Sequence, residues 1–230
     1  MSVSYRRDET TAVITMDDGK VNVLGPQMLG AINGALDRAE TESAGAVVIA
    51  GNERVFSAGF DLKVFRSGDV QASIDMLRAG FELSHRLLSC PTPVIAACTG
   101  HAIAMGSFLA CSTDHRIAAP SYNFQANEVV NGMVLPYPAL EVMRLRLTRS
   151  AYQQAVGLSK TFFGETALAG GFVDEIVMGD VVLERALEAA REFTATLDAR
   201  AHHACKLRAR QQTLDAIRTG IDTLHTEFGL

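Results

Sequence analysis

Tryptophan is absent from the chain, tyrosine occurs only four times, and there is no basic run. Lys+Arg 21 against Asp+Glu 26 leaves a net charge of −5, so the basic face and stacking aromatics that grip nucleic acid are missing, and no nucleic-acid partner is expected. The four cysteines, Cys90, Cys98, Cys111 and Cys205, show neither C-x-x-C nor Cys/His spacing, which argues against a zinc site and a disulfide framework. No apolar run reaches the roughly 18 residues of a membrane span, and the opening Met-Ser-Val-Ser-Tyr-Arg-Arg-Asp lacks the apolar core of a signal peptide. Walker, G-x-G-x-x-G, G-x-S-x-G and H-E-x-x-H motifs are also missing. The expectation is a reduced, soluble, cytoplasmic protein with no membrane or metal partner.

What is present fits an ordinary globular chain. Its 230 residues suit one domain, or one with an appendage, and 48% hydrophobic against 20% charged residues excludes a disordered or fibrous chain. Val3 to Arg7 and Ala12 to Met16 read as a hairpin about Asp8-Glu9-Thr10. Pro26 suits the first turn of a helix running to about Thr41. The short apolar runs Ala46–Ala50 and Val94–Cys98 read as strands covered on both faces. Between them Ile74, Leu77, Phe81 and Leu88 mark a helix from Val70 to Ser89, ended by Pro91 and Pro93. A short helix is expected from about Gly106 to Cys111, a strand over Arg116–Ala119, and helices over Pro138–Leu147 and Arg149–Leu158. A small turn over Ala167–Gly171 and a strand over Phe172–Val177 should follow, with everything after Val181 helical. Alternation of short strands and helices predicts an α/β fold with a helical C-terminal appendage.

Three segments place small or polar residues directly after buried strands, where α/β proteins present their ligands. In Phe56-Ser57-Ala58-Gly59-Phe60-Asp61-Leu62-Lys63, a glycine inside the turn lets successive N–H groups point outward towards an anionic oxygen. Taken alone, that segment reads better as an ordinary tight turn. Thr99-Gly100-His101-Ala102-Ile103-Ala104-Met105-Gly106-Ser107-Phe108-Leu109 turns a strand into a helix whose first N–H groups favour negative charge, or is simply a buried helix needing small residues. Gln125-Ala126-Asn127-Glu128-Val129-Val130-Asn131-Gly132 sets one carboxylate among small and apolar neighbours. A Glu held there gains a raised pKa and can act as a general acid or base; a solvated or capping Glu is the plain alternative.

Together these segments resemble the crotonase superfamily, the enoyl-CoA hydratase/isomerase family, along nearly the whole chain. The first oxyanion signature A-G-x-D-[LI] stands as Ala58-Gly59-Phe60-Asp61-Leu62, and the second, N-G-x-x-x-G-G-G, as Thr99 to Gly106. Lys20-Val21-Asn22-Val23-Leu24 is similar to the early K/P-x-N-A-L segment, and Glu128 to Gly132 to the x-E-x-x-x-G segment. The resemblance implies a spiral of ββα units over residues 1–178, and a helical trimerisation region over 179–230 that builds a homotrimer or dimer of trimers. It implies an acyl-CoA thioester substrate, with coenzyme A entering as part of that substrate and no separate cofactor. The backbone N–H groups of Phe60 and Met105 would hold the enolate oxygen, and Glu128 would move the proton. Substrate contacts would come from Lys20, Val21 and Val23, from Ala58, Phe60, Asp61 and Leu62, from His101, Ile103, Met105, Gly106 and Phe108, and from Glu128 and Leu135.

One departure decides between activities within the family. Its hydratases use two glutamates, and where the first is expected this chain has Phe108. A single carboxylate suits 3-enoyl-CoA to 2-enoyl-CoA isomerisation better, with hydration as the alternative and a non-catalytic acyl-CoA binding protein as the alternative of another class. The Clp-type serine peptidases share the Met-Gly wording, but Ala104 stands where their nucleophile would be, so that chemistry is excluded. His202-His203 reads as a solvated pair, His101 as a hydrogen-bonded structural residue, and Asp61 as a residue that fixes its turn. Arg144, Arg146 and Arg149 read as a solvated or intersubunit face, and Lys206, Arg208 and Arg210 as a possible contact for a CoA phosphate. Phe60, Phe65, Phe108 and Leu135 are the expected lining of an apolar acyl site.

Overall fold

The structure, a computed structural model, describes residues 2–227. Strands β1 (Val3–Asp8) and β2 (Thr11–Met16) form the expected hairpin, and Glu9 takes a positive φ of 51° at its tip. β3 (Val23–Leu24) leads into α1 (Pro26–Thr41), with Pro26 in the first turn. β4 (Ala46–Ala50), β5 (Val55–Ser57) and β6 (Gly59–Phe60) follow, then α2 (Leu62–Arg66) and α3 (Val70–Ser89). The next unit is β7 (Val94–Cys98), β8 (His101–Ile103) and α4 (Met105–Cys111), and the next β9 (His115–Ala118) and β10 (Phe124–Gln125). After a 3-10 turn at Val129–Asn131 come α5 (Tyr137–Arg146), α6 (Arg149–Leu158), α7 (Gly164–Gly170), β11 (Glu175–Ile176), α8 (Val182–Thr196), α9 (Ala199–Asp222) and α10 (Leu224–Glu227).

The repeat has a simple logic. β4, β7 and β9 each enter a six-stranded sheet of order β1-β2-β4-β7-β9-β11, in which only the β1–β2 pair is antiparallel. Each is followed within a few residues by β5, β8 or β10, which form a second, parallel sheet of order β10-β8-β5. The chain therefore winds as a spiral, giving one strand to each sheet per turn. β4 and β7 read as unbroken apolar runs because both faces are covered. Val48 and Ala50 pack with Ile95 and Ala97 beneath Ala186, Ala189 and Ala190 of α8, while Val47, Ile49 and Ala96 face the main core with α1 and α3.

Four expectations need correction. Ala167–Gly171 is not a free turn but the end of α7, stopped by Gly171 in the left-handed region (φ 89°). The strand expected over Phe172–Val177 shrinks to Glu175–Ile176, because Phe172 and Val173 are core residues and Asp174 turns to pair with buried Arg116 at 2.7 Å. Arg146 does not join a solvated face with exposed Arg144 and Arg149: its guanidinium donates to the carbonyls of Cys111 (2.9 Å) and Thr113, where α4 ends. Lys206 and Arg210 are withdrawn from any phosphate by Asp114, which they grip at 2.7 and 2.8 Å; a buried carboxylate needs such partners.

Beyond Val181 the chain is helical in three pieces, with α9 lying on α3 and α5 of its own chain. The last three residues of the expected 179–230 region lie outside the described residues. Among the described residues no helix is long and apolar enough to cross a membrane, and all four cysteines are free thiols.

Candidate active site

The first oxyanion signature is built around a buried serine. Ser57 Oγ donates to the Asn22 carbonyl at 2.7 Å and accepts from Gly59 N at 3.1 Å. Asn22, fully buried, donates from its amide to the carbonyls of Met16, Val55 and Phe56 at 3.0–3.2 Å. Ala58 N donates to Val21 O, and Val23 pairs with Gly59, so the Lys20–Leu24 segment lies alongside the Ala58–Leu62 turn. Lys20, Val21 and Leu62 are exposed there, while Val23, Ala58, Phe60 and Asp61 are half-buried. Gly59 has φ +93°, open to glycine and costly for any other residue. Asp61 fixes the turn by capping α2: its Oδ1 accepts from Lys63 N at 2.9 Å.

The second signature meets the first at atomic contact. A Cβ added to Gly59 would lie 3.1 Å from Met105 N, 3.0 Å from Ile103 O and 2.8 Å from Ala104 Cβ. Met105 is the first residue of α4, so its N–H has no acceptor within the helix. Their side chains converge as well: a Cβ on Gly80 of α3 would lie 2.5 Å from the Phe60 ring and 3.4 Å from Met105 Cε. Phe60 meets Phe65 and Phe81 edge to face at 6.2 and 6.0 Å, and Phe81 stacks on Phe108 at 6.5 Å. Phe108 is fully enclosed, as are Met105 and Gly106. His101 Nδ1 accepts from Asn123 N at 3.0 Å, a structural bond in line with its expected role.

Within the second signature, directly before Met105, Ala104 sits at φ 50°, ψ −126°, a conformation that strains any residue with a Cβ. Relief of about 1–3 kcal/mol on mutation to glycine, less the roughly 0.5–1 kcal/mol of extra unfolded-state freedom, leaves a net gain near 1 kcal/mol. Ala104→Gly should therefore melt about 2–4 °C higher and keep its turnover, because Met105 presents only backbone. Thermal unfolding followed by circular dichroism checks this, and a lower melting temperature contradicts the strain.

Glu128 enters from the third unit. β10 pairs with β8, and Gln125 O accepts from Ala104 N at 2.8 Å. Three residues on, Glu128 heads the turn closed by Gly132 at φ 73°. It is only 8% exposed, and its Oε2 is buried without a hydrogen-bond partner among the described residues. Loss of hydration disfavours the charged form and pushes the carboxyl up to about 7. A carboxyl balanced there can take and return a proton at neutral pH. Leu135, also buried, lies beyond the exposed Val129–Val134 stretch. The sequence reading gave Ser57 and Gly80 no role, because a buried serine or a notch glycine leaves no local pattern.

The family model described as Enoyl-CoA hydratase/isomerase matches residues 6–228. The enoyl-CoA hydratase EchA3 from Mycobacterium marinum is 64% identical, with 100% of each chain covered and a TM-score of 0.97. A structure described as an enoyl-CoA isomerase of Mycobacterium tuberculosis is 63% identical, with 98% of each chain covered and a TM-score of 0.96. A probable enoyl-CoA hydratase, EchA17, from Mycobacterium avium is 31% identical over 195 residues, 81% of this chain and 73% of that protein. With the paired turns, the buried glutamate and the two-sheet spiral on the same scaffold, the chain belongs to the enoyl-CoA hydratase/isomerase family and has its crotonase fold.

Proposed function

We propose that the protein moves the double bond of a 3-enoyl-CoA to give the 2-enoyl-CoA, with Glu128 as its one acid/base group. The observation that carries this reading is the Glu128 carboxyl, buried, unpartnered at Oε2 and titrating at about 7. In the first step its carboxylate takes a proton from C2, and the electron pair spreads through C3–C4 and the thioester to give a dienolate. The N–H groups of Phe60 and Met105 hold the oxygen of that dienolate; one such donor is typically worth about 2.7–4 kcal/mol. The carboxylic acid then returns the proton at C4, so the double bond has moved and no other atom is gained or lost.

Hydration needs a second group to position and activate water, and the place where the family's first carboxylate is expected holds Phe108, enclosed and stacked on Phe81. The names of the similar structures do not choose between the two activities, for the same Mycobacterium tuberculosis protein is described once as an isomerase and once as a probable hydratase. The acyl chain would lie along half-buried Phe60 and Phe65, backed by Phe108 and Leu135, which are enclosed in the core, and coenzyme A arrives as part of the substrate. Residues 1–178 would bind and convert the thioester. The helices after 179 would supply trimer contacts through the faces left free by their packing on α3, α5 and the large sheet.

Purified protein assayed on a 3-enoyl-CoA and on crotonyl-CoA should isomerise the first far faster than it hydrates the second. A hydration rate that matches or exceeds isomerisation overturns this reading in favour of a hydratase, and binding without turnover in favour of an acyl-CoA carrier. Wild-type kcat/KM for isomerisation should rise with pH and level off above about 7, since the free enzyme must hold Glu128 ionised to accept the proton.

A further inference from the structure

We infer that the Ser107 hydroxyl is a positioning residue that locks the Met105 N–H and the Glu128 carboxyl into one fixed arrangement; this rests on the roles assigned to those two groups above. Ser107 is the third residue of α4 and is completely buried. Its Oγ donates to Ala102 O in β8 at 2.5 Å and accepts from Gln125 N in β10 at 3.1 Å. A second contact to Gln125 O, at 3.4 Å, lies at the same junction. The three pieces that meet on this oxygen are the strand before the oxyanion helix, the helix that begins with Met105, and the strand that ends three residues before Glu128.

Serines inside helices commonly return their hydroxyl to a carbonyl of the same helix. Ser107 instead reaches a carbonyl outside α4 and an N–H from the next turn of the spiral. α4 has only seven residues, too few for helix hydrogen bonds alone to hold it, so ties to its neighbours fix where it begins. Gln125 extends the brace, its Nε2 donating to Ser159 O at 2.7 Å beyond α6. Ser107 is no nucleophile, for its proton is given to a backbone carbonyl and no base is among its partners. Its effect is geometric: proton transfer over a held dienolate tolerates little drift, and a misplacement of about 1 Å can cost on the order of 100-fold.

Ser112 provides a matched control. It lies at the far end of α4, is equally buried, and its Oγ donates to Phe108 O at 2.7 Å, with no bond to β8 or β10. Ser107→Ala should lower kcat for 3-enoyl-CoA isomerisation at least about tenfold below Ser112→Ala, with KM within about twofold, because binding survives while alignment does not. Ser107→Cys, similar in shape with a weaker donor and acceptor, should recover part of the loss. Equal kcat in the two alanine variants overturns the inference and leaves Ser107 an ordinary packing residue. Amide hydrogen exchange tests the coupling without turnover: Ser107→Ala should speed exchange over 104–108 and 126–132 together, and Ser112→Ala should leave 126–132 as in wild type. Indistinguishable exchange in the two variants also overturns it. Wild-type protein that fails to isomerise 3-enoyl-CoA refutes the proposed activity instead, and the exchange comparison then decides the brace alone.

Discussion

Glu128→Gln is expected to lose 100- to 10,000-fold in isomerase turnover, the usual contribution of a general acid/base group, while becoming more resistant to unfolding than the wild type above pH 7. The two effects share one cause. Burial leaves Oε2 without a partner and raises the carboxyl from its ordinary 4.5 to about 7. A group whose folded pKa is raised favours the fold while it stays protonated. That contribution is complete below about 4.5 and is lost as the pH climbs through about 7. Over that window the change is on the order of 3 kcal/mol, from about 1.36 kcal/mol per pKa unit. Glutamine has nearly the same shape and no charge to bury, so its stability escapes this slope. Urea unfolding at pH 4.5 and pH 8 should show the variant gaining on the wild type by up to about 3 kcal/mol, while acyl-CoA affinity stays nearly the same. Lower stability at both pH values, with activity falling only in proportion, would mean that Glu128 is structural. Unchanged turnover would remove the mechanism and favour an acyl-CoA binding protein.

The sequence singled out this residue by its small and apolar neighbours Ala126, Val129 and Val130, but Val129 and Val130 are exposed, so those two side chains are not what buries it. Other parts were legible for equally local reasons. Unbroken apolar runs mark β4 and β7 because α8 covers one face and α1 with α3 the other, and Pro26 marks the start of α1. The strands of the second sheet are two or three residues long and carry no period to detect. Lys206 read as a contact for a CoA phosphate and Arg146 as part of a solvated or intersubunit face, but Asp114 holds the one and the carbonyls at the end of α4 the other. Both partners are distant in sequence, so no spacing rule finds them. Ala104 is the reverse case: sequence reasoning expects glycine at a positive φ, and the chain holds a strained alanine directly before the proposed donor. Strain of this kind gathers where function over-determines the backbone.

Gly59→Ala should cost both stability and turnover heavily. At φ +93° alanine is already strained, and the new Cβ would stand 2.8 Å from Ala104 Cβ, 3.0 Å from Ile103 O and 3.1 Å from Met105 N. Two of those three are backbone atoms of the second signature, so no side-chain rotation can relieve the contact. Either the Phe60 turn or the start of α4 must move, and both carry a proposed donor. Strain of about 1–3 kcal/mol at the left-handed residue, with overpacking of about 1–3 kcal/mol, gives an expected loss of roughly 2–6 kcal/mol in stability. Losing the alignment of one N–H typically costs about 100- to 1,000-fold in kcat, and here both donors are displaced. Turnover should therefore fall by at least that factor even at temperatures where circular dichroism shows the variant folded. Gly132→Ala makes the comparison, because its φ of 73° imposes similar strain while a Cβ there meets nothing within 4 Å. Measured side by side on folded protein, Gly59→Ala should lose far more activity than Gly132→Ala for a comparable strain at φ. If the two variants lose activity equally, the contact between Gly59 and the Met105 amide has no part in holding the thioester oxygen.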